Sequence, residues 1–411
     1  MGLEVDGVDV ALGHVACGYV ASMETSSALL IIGSGPAGLS AARGYRDAGG
    51  GGRVLVVTAD EHAPYERPPL SKEFLRGETS AGDVAIEDDA FYRDAQIELM
   101  LSTTVDAIDL AGRSVSTRDG DAILWTSLVL AMGNEAVRLD VPGGDHEGVR
   151  VLRSLSDAQT LVRAAEDARS VIVIGSGFIG CEAAASLASR GLVVTVVSPE
   201  ESPQFARLGA FAAGRIRGWL EDLGVRVVGS KSVKDIREGR SVHLDDGTIL
   251  EADLVVAAVG AKPRTALAAD AGLVVEEDRV RVDAHMKTSE PGVYAAGDVA
   301  YADNGALGHP LVVEHWGDAL AMGEVAGSMA AGVDATWDVV PGFWSDIGDK
   351  ALQYASWGEG FEFVRVVEHD ATAFTAWYES GGRCVGVLTH DADDDYERGI
   401  TLIRAAATDQ R

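Results

Sequence analysis

Two stretches of this 411-residue chain carry the same spacing of small residues, one suited to holding phosphate. The first runs Leu30-Ile31-Ile32-Gly33-Ser34-Gly35-Pro36-Ala37-Gly38. The second runs Val171-Ile172-Val173-Ile174-Gly175-Ser176-Gly177-Phe178-Ile179-Gly180. Each is an apolar run, then GxGxxG, then an alanine-rich stretch. Glycine lets the backbone turn tightly and approach a pyrophosphate, whose charge then meets the positive end of the following helix. The chemistry implied is dinucleotide binding, and two copies imply two dinucleotides held at once.

For these glycines to work they must sit between a buried strand and a helix, and the flanking pattern supplies both. Gly49 to Gly52 end the first alanine-rich stretch, after which Arg53-Val54-Leu55-Val56-Val57 reads as the second strand of a βαβ unit. The grammar repeats in Ser189-Arg190-Gly191 followed by Val193 to Val197. Leu128 to Gly133 and Leu254 to Gly260 each read as a further strand ending in a tight turn, which places the second unit inside the first. Beyond residue 341 the texture changes: Phe343, Trp344, Trp357, Phe361, Phe363, Phe374, Trp377 and Tyr378 crowd short alternating runs, the pattern of a small antiparallel sheet. The expected fold class is α/β, with two Rossmann-like dinucleotide-binding domains and a small α+β C-terminal domain. Expected boundaries are 1–26 for an N-terminal extension, 27–147 with 268–340 for the first domain, 148–267 for the inserted one and 341–411 for the third.

Composition narrows the function classes. A hydrophobic content of 47% with 24% charged residues is ordinary for a folded globular protein. A net charge of −30 argues against a nucleic-acid partner, because phosphate neutralisation needs basic faces. No apolar run approaches the roughly 18 to 20 residues that span a bilayer. Glu4, Asp6 and Asp9 stand where a signal peptide carries positive charge, so no membrane and a cytoplasmic location are expected. Cys17, Cys181 and Cys384 lie far apart and read as unpaired thiols, with no metal site. The acidic runs Glu87-Asp88-Asp89 and Asp391 to Glu397 read as solvated faces.

Four segments in order resemble one family: Gly33 to Gly38, Pro64-Tyr65-Glu66-Arg67-Pro68-Pro69-Leu70-Ser71-Lys72, Gly175 to Glu182, and Val293-Tyr294-Ala295-Ala296-Gly297-Asp298-Val299-Ala300. Their wording resembles the FAD-dependent, NAD(P)H-oxidising ferredoxin reductases of the putidaredoxin and rubredoxin reductase type, relatives of apoptosis-inducing factor, with a glutathione-reductase-like fold. The resemblance covers residues 28 to 411 and rests most on ERPPLSK and the AAGD box. It implies that the 27–147 and 268–340 domain holds FAD and the 148–267 domain holds NAD(P)H. On the FAD side it implies Gly33, Gly35, Pro36, Ala37 and Gly38 at the pyrophosphate, Asp60 with Glu61 behind it at the adenosine ribose, and Arg67 and Lys72 at the flavin. Val105, Ala131 and Gly133 also fall to FAD, with Gly297 and Asp298 at the ribitol. Glu314, His315 and Trp316 then open a helix whose N-terminus faces flavin N1 and O2.

On the other side the resemblance assigns Gly175, Gly177, Phe178, Ile179 and Gly180 to the nicotinamide dinucleotide, with Ser198, Glu200 and Gly260. Lys72 and Glu182 are implied as a catalytic pair where nicotinamide meets flavin. Relatives that use NAD usually place an acid where Ser198 stands. Glu200 and Glu201 still repel a 2′-phosphate, and no arginine occurs between Val197 and Arg207, so NADH is expected over NADPH. Glu135 stands where relatives place an arginine on FAD, leaving either one contact fewer or Arg138 in its place. Phe343 to Asp346 resembles the segment bordering the electron exit, which makes Trp344 a docking candidate for a small iron–sulfur ferredoxin or rubredoxin. Relatives often meet an acidic ferredoxin through a basic surface, against which the net charge is a departure. No cysteine pair accompanies the flavin segment, which disfavours thiol chemistry. The expected activity is hydride transfer from NADH to FAD and single-electron delivery to a ferredoxin serving a P450 or Rieske oxygenase, by a monomer or homodimer. The alternatives are an NADH:quinone or dye reductase and a redox-sensing binding protein.

Overall fold

The computed structural model describes residues 25 to 408. Most of the expected extension and Cys17 lie outside them. The first strand, Thr25–Ile32, begins inside the last two residues assigned to that extension.

The first sheet is built on strands that are apolar on both faces. Leu29 to Ile32 and Val54 to Val57 are almost wholly buried, as parallel strands covered by helices on both sides must be. Ile97–Met100, Val54–Val57, Thr25–Ile32 and Ala122–Leu130 lie side by side in that order, all parallel. Ala122–Leu130 then divides its free edge: its first residues pair antiparallel with Ser114–Thr117, and its last pair parallel with Val293–Ala295. The returning strand, Val293–Ala295, arrives more than a hundred residues after the chain has left this sheet.

Between departure and return the chain builds a second sheet. Its order is Arg226–Val228, Val193–Val197, Ser170–Ile174, Leu254–Ala257 and Val149–Arg150, again all parallel. The two passages between the sheets run together as an antiparallel ribbon, Asn134–Ala136 against Ala261–Pro263. A five-stranded antiparallel sheet closes the chain, ordered Gly342–Ile347, Lys350–Ser356, Arg383–His390, Phe374–Ser380 and Phe363–Glu368. Its cover is the helix Asp393–Thr408. The acidic run expected as a solvated face supplies the first turn of that helix, where Asp393, Asp394 and Asp395 meet the positive end of the dipole. Asp88 also serves a helix start, since its carboxylate accepts the Phe91 N–H and caps the helix Asp89–Asp94.

Apolar packing ties the three sheets together. Leu75, Val173, Cys181 and Leu187 share one buried cluster with Ile347, Leu352, Phe374 and Tyr378 of the C-terminal sheet. Trp357, Trp377 and Val387, from the other face of that sheet, pack into the core of the first. Among the described residues, Cys181 and Cys384 are free thiols and no helix is long and apolar enough to cross a membrane.

Candidate functional site

Both glycine turns are held open by close approach to a neighbouring strand. Gly33 and Gly175 have φ of 106° and 109°, the left-handed side that residues with a Cβ avoid. A Cβ at Gly33 would stand 2.3 Å from the Ala131 carbonyl oxygen, and one at Gly175 would stand 2.2 Å from that of Ala258. The helices that follow, Pro36–Asp47 and Phe178–Ser189, are capped by Gly35 and Gly177 with no side-chain cap bond and no acidic residue in the first turn. Their leading N–H groups are therefore left for an anion. Both turns open on one cleft of about 2500 Å³. That exceeds the roughly 300–1,000 Å³ of a pocket for one small ligand.

The cleft wall near the first turn carries Gly33, Gly35, Pro36, Ala37, Asp60, Arg67, Val105, Ala131, Gly133, Gly297, Asp298, Glu314, His315 and Trp316. Gly38 lies behind it, one turn into its helix against the Gly33 carbonyl. The Asp60 carboxylate accepts the Tyr65 hydroxyl at 2.9 Å and the His62 N–H at 3.1 Å, which fixes its direction. Arg67 lies over the Tyr65 ring and donates to the Arg153 carbonyl at 2.7 Å. Burial pulls its guanidinium below the usual arginine range, with Arg153 adding to the effect and Tyr65, Asp60 and Asp298 opposing it.

Sequence reasoning missed Arg153. Its guanidinium donates to the Asp298 carboxylate at 2.8 Å and to the Asn134 carbonyl at 3.2 Å. The local signal was only an arginine beside a helix start, since Ser154 and Asp157 form a capping box immediately after it. Glu135 is a strap of the ribbon, paired with Lys262 at 2.9 Å. Asn134 donates to Glu314 at 2.8 Å, and Glu314 also takes Arg279. The Asn134 amide oxygen is buried with no partner on the cleft wall, an acceptor waiting for a donor. Trp316 starts the helix Trp316–Ala330, whose N-cap, His315, makes no side-chain cap bond, so a third helix N-terminus borders the same cleft, here with Asp318 in its first turn.

Lys72 and Glu182 meet where the two halves of the cleft join. The lysine ammonium is 3.1 Å from the carboxylate, with side chains only 6% and 3% exposed. The Lys72 ammonium also donates to the Pro68 carbonyl at 3.1 Å. The Glu182 carboxylate further accepts the Ser71 hydroxyl at 2.5 Å and the Ser345 hydroxyl at 2.7 Å. One buried carboxylate thus ties the PPLSK segment, the second glycine helix and the C-terminal sheet. Charges taken out of water hold only when paired and hydrogen-bonded, and this one is. Phe343 roofs the junction, with ring centroids 4.6 Å from Phe178 and 4.9 Å from His315. Burial pushes the neighbouring Asp346 carboxyl above the usual range, with Lys72 pulling it back.

Around the second turn the wall is formed by Gly177, Phe178, Ile179, Gly180, Glu200 and Gly260, joined by Gln204 and Arg207. Gly175 sits beneath it and Ser198 is not on it. The Ser198 hydroxyl is buried, 2.6 Å from that of Ser176, and accepts the Glu200 N–H at 3.1 Å. It therefore shapes the loop and leaves the side-chain surface of the cleft to Glu200, whose carboxylate accepts the Phe205 N–H at 3.1 Å. Trp344 stands on the rim, 43% exposed.

Residues 27 to 323 match the pyridine nucleotide-disulphide oxidoreductase family. Among curated proteins, the rubredoxin-NAD(+) reductase of Pseudomonas putida is 34% identical over 331 residues, 79% of this chain and 86% of that protein. Among solved structures, the ferredoxin reductase for the CYP199A2 system from Rhodopseudomonas palustris superimposes with a TM-score of 0.85 at 32% identity, covering 91% of this chain and 94% of that one. The covalent putidaredoxin reductase–putidaredoxin complex gives a TM-score of 0.87 at 28% identity, covering 93% and 94%.

Proposed function

The chain belongs to the pyridine nucleotide-disulphide oxidoreductase family, and on that premise we propose that it is an NADH-dependent ferredoxin or rubredoxin reductase of an oxygenase system. The observation that carries this reading is the single cleft with a glycine turn in each half and a buried Lys72–Glu182 pair at the junction. FAD in the first half supplies a hydride acceptor that can release electrons one at a time.

The residues divide the work by their chemistry. The Gly33 to Gly38 turn offers amides to the FAD pyrophosphate, and Asp60, held by Tyr65, accepts from the adenosine ribose. Asp298 orients the ribitol, with Arg153 neutralising it from the side. The unpaired Asn134 oxygen suits a donor on the flavin. The N-terminus of Trp316–Ala330 favours negative charge at the ring. Glu182, fixed by Ser71 and Ser345, holds the Lys72 ammonium toward the junction, where hydride crosses. Phe178 and Phe343 exclude water there. The Gly175 to Gly180 turn takes the NADH pyrophosphate, and Glu200 disfavours a 2′-phosphate. Trp344 marks the rim where the iron–sulfur protein docks. The domains follow: 27–147 with 268–340 for FAD, 148–267 for NADH and 341–411 for docking, in a cytoplasmic enzyme.

The test is an anaerobic titration of the purified yellow protein with NADH and with NADPH, followed by a panel of ferredoxins and rubredoxins with cytochrome c as final acceptor. The reading requires bleaching of the flavin by NADH and cytochrome c reduction that depends on the added iron–sulfur protein. Rapid bleaching with no such dependence would reject the assigned acceptor.

A further inference from the structure

The helix Phe205–Asp222 is broken near its start. Gly209 lies inside it with φ 76° and ψ 177°, so the turn from Gln204 to Leu208 is set apart from the rest. Beyond the break the helix lies along the C-terminal sheet, with Phe211 and Trp219 against Phe374 at centroid distances of 5.1 and 6.3 Å. Before the break, the short turn carries Gln204 and Arg207 onto the cleft wall. There the Gln204 amide donates to the Ser176 carbonyl at 3.1 Å, beside the second glycine turn.

What fixes this turn comes from far along the sequence. The Tyr378 hydroxyl, in the strand Phe374–Ser380, donates to the Leu208 carbonyl at 2.9 Å. Both residues are fully buried, so water cannot replace the phenol. Burial also raises the Tyr378 phenol above its ordinary range, which keeps the proton that it donates. The ring stands edge-on to Phe361 at 4.8 Å and to Tyr354 at 5.7 Å, two side chains that themselves line the cleft.

We propose that Tyr378 is a positioning residue for the nicotinamide dinucleotide: its hydroxyl latches the Gln204–Leu208 turn to the C-terminal sheet and so fixes Arg207 and Gln204 beside the second glycine turn. The inference rests on the reading of that turn as the NADH site. The same sheet carries Ser345, which holds Glu182, and the rim residue Trp344. The grip on NADH and the electron exit are therefore anchored to one element.

The test uses the FAD-loaded enzyme and Tyr378→Phe, which removes one oxygen and keeps the ring contacts. Anaerobic stopped-flow reduction separates the NADH Kd from the limiting rate. The Kd should rise roughly ten-fold, the size of one buried hydrogen bond, while the limiting rate keeps its parent value. Arg207→Ala should weaken NADH binding too, and Tyr378→Phe should add less in that background than in the parent, because part of its effect runs through Arg207. An unchanged Kd, a loss of thermal stability alone, or equal further weakening in the Arg207→Ala background overturns the proposal. A parent enzyme that NADH does not bleach instead overturns the assignment of the site, and the latch with it.

Discussion

Replacing Glu182 by alanine removes the acceptor of three buried donors at once. The Lys72 ammonium, 6% exposed, would keep only the Pro68 carbonyl at 3.1 Å, while the Ser71 and Ser345 hydroxyls would lose their partner. Removing one side of a buried ion pair costs about 3–5 kcal/mol, because the remaining charge is left desolvated. The two hydroxyls can turn to other acceptors, so their share is small beside it. Denaturant unfolding of the FAD-loaded enzyme should show this loss. Stopped-flow kinetics should show slower hydride transfer from NADH, with flavin content unchanged. Glu182→Gln keeps an oxygen for Lys72 and should fall between parent and alanine. Adding Lys72→Met to Glu182→Ala removes the stranded charge and should recover about 2 kcal/mol or more. A Glu182→Ala loss below about 1 kcal/mol, the size of an exposed pair, would refute the reasoning that this contact is a desolvated charge pair. Unaltered hydride transfer would refute its placement at the nicotinamide.

Three further outcomes follow from the same cleft. Asp298→Ala takes from Arg153 its carboxylate partner and removes the proposed ribitol acceptor, so the protein should purify colourless; a full flavin spectrum would count against that role. Glu200→Gln should narrow the preference for NADH over NADPH, read as the ratio of kcat/KM values, and an unmoved ratio would clear Glu200 of any part in specificity. Asp346→Asn tests the raised carboxyl. Its folded-state pKa lies above the unfolded value of about 4, so the native state binds the extra proton and stability falls as pH rises through that window. The asparagine variant should therefore be more stable than parent at neutral pH and lose that advantage in acid; equal unfolding midpoints across the range would show the burial to be inconsequential.

The parts of this molecule written in short-range pattern were legible in the sequence alone. The glycine turns, the strands that precede them and the insertion of one unit in the other follow from runs of Leu, Ile and Val broken by glycine, which burial and turn geometry dictate locally. Lys72 and Glu182 came from a family resemblance, and the reasons they stay buried did not. Ser71 and Ser345 lie 111 and 163 residues from Glu182, and Arg153 lies 145 residues from Asp298. No periodicity links such positions; only the packing of three sheets does. Ser198 shows the reverse failure. The resemblance counted it among the residues at the nicotinamide dinucleotide, but a hydroxyl short enough to reach Ser176 is drawn into the loop, and the next carboxylate, Glu200, takes the wall. The broken helix was equally hidden, since Gly209 inside an alanine-rich run reads as a weak helix residue and its φ is set by what it packs against.

The departure at Glu135 has a physical logic once the ribbon is in view. Asn134–Ala136 and Ala261–Pro263 are the two passages by which the chain leaves the first sheet and returns, and Glu135 pairs across them with Lys262, with Arg264 at 3.9 Å. An arginine at 135 would face two cations on that strand, at a cost that grows as the ribbon is shielded from water. The positive charge at this end of the cleft comes instead from Arg67 and Arg153, which are linked by a hydrogen bond from one to the carbonyl of the other and compensated by Asp60 and Asp298. A bound pyrophosphate would add to that compensation, while the lowered Arg67 pKa owes most to burial, with Arg153 adding only in part. Flavin binding should therefore weaken only modestly with rising salt, since screening reaches the part-exposed Arg153 far more than the desolvated Arg67, and a steep salt dependence would refute that placement of the charge.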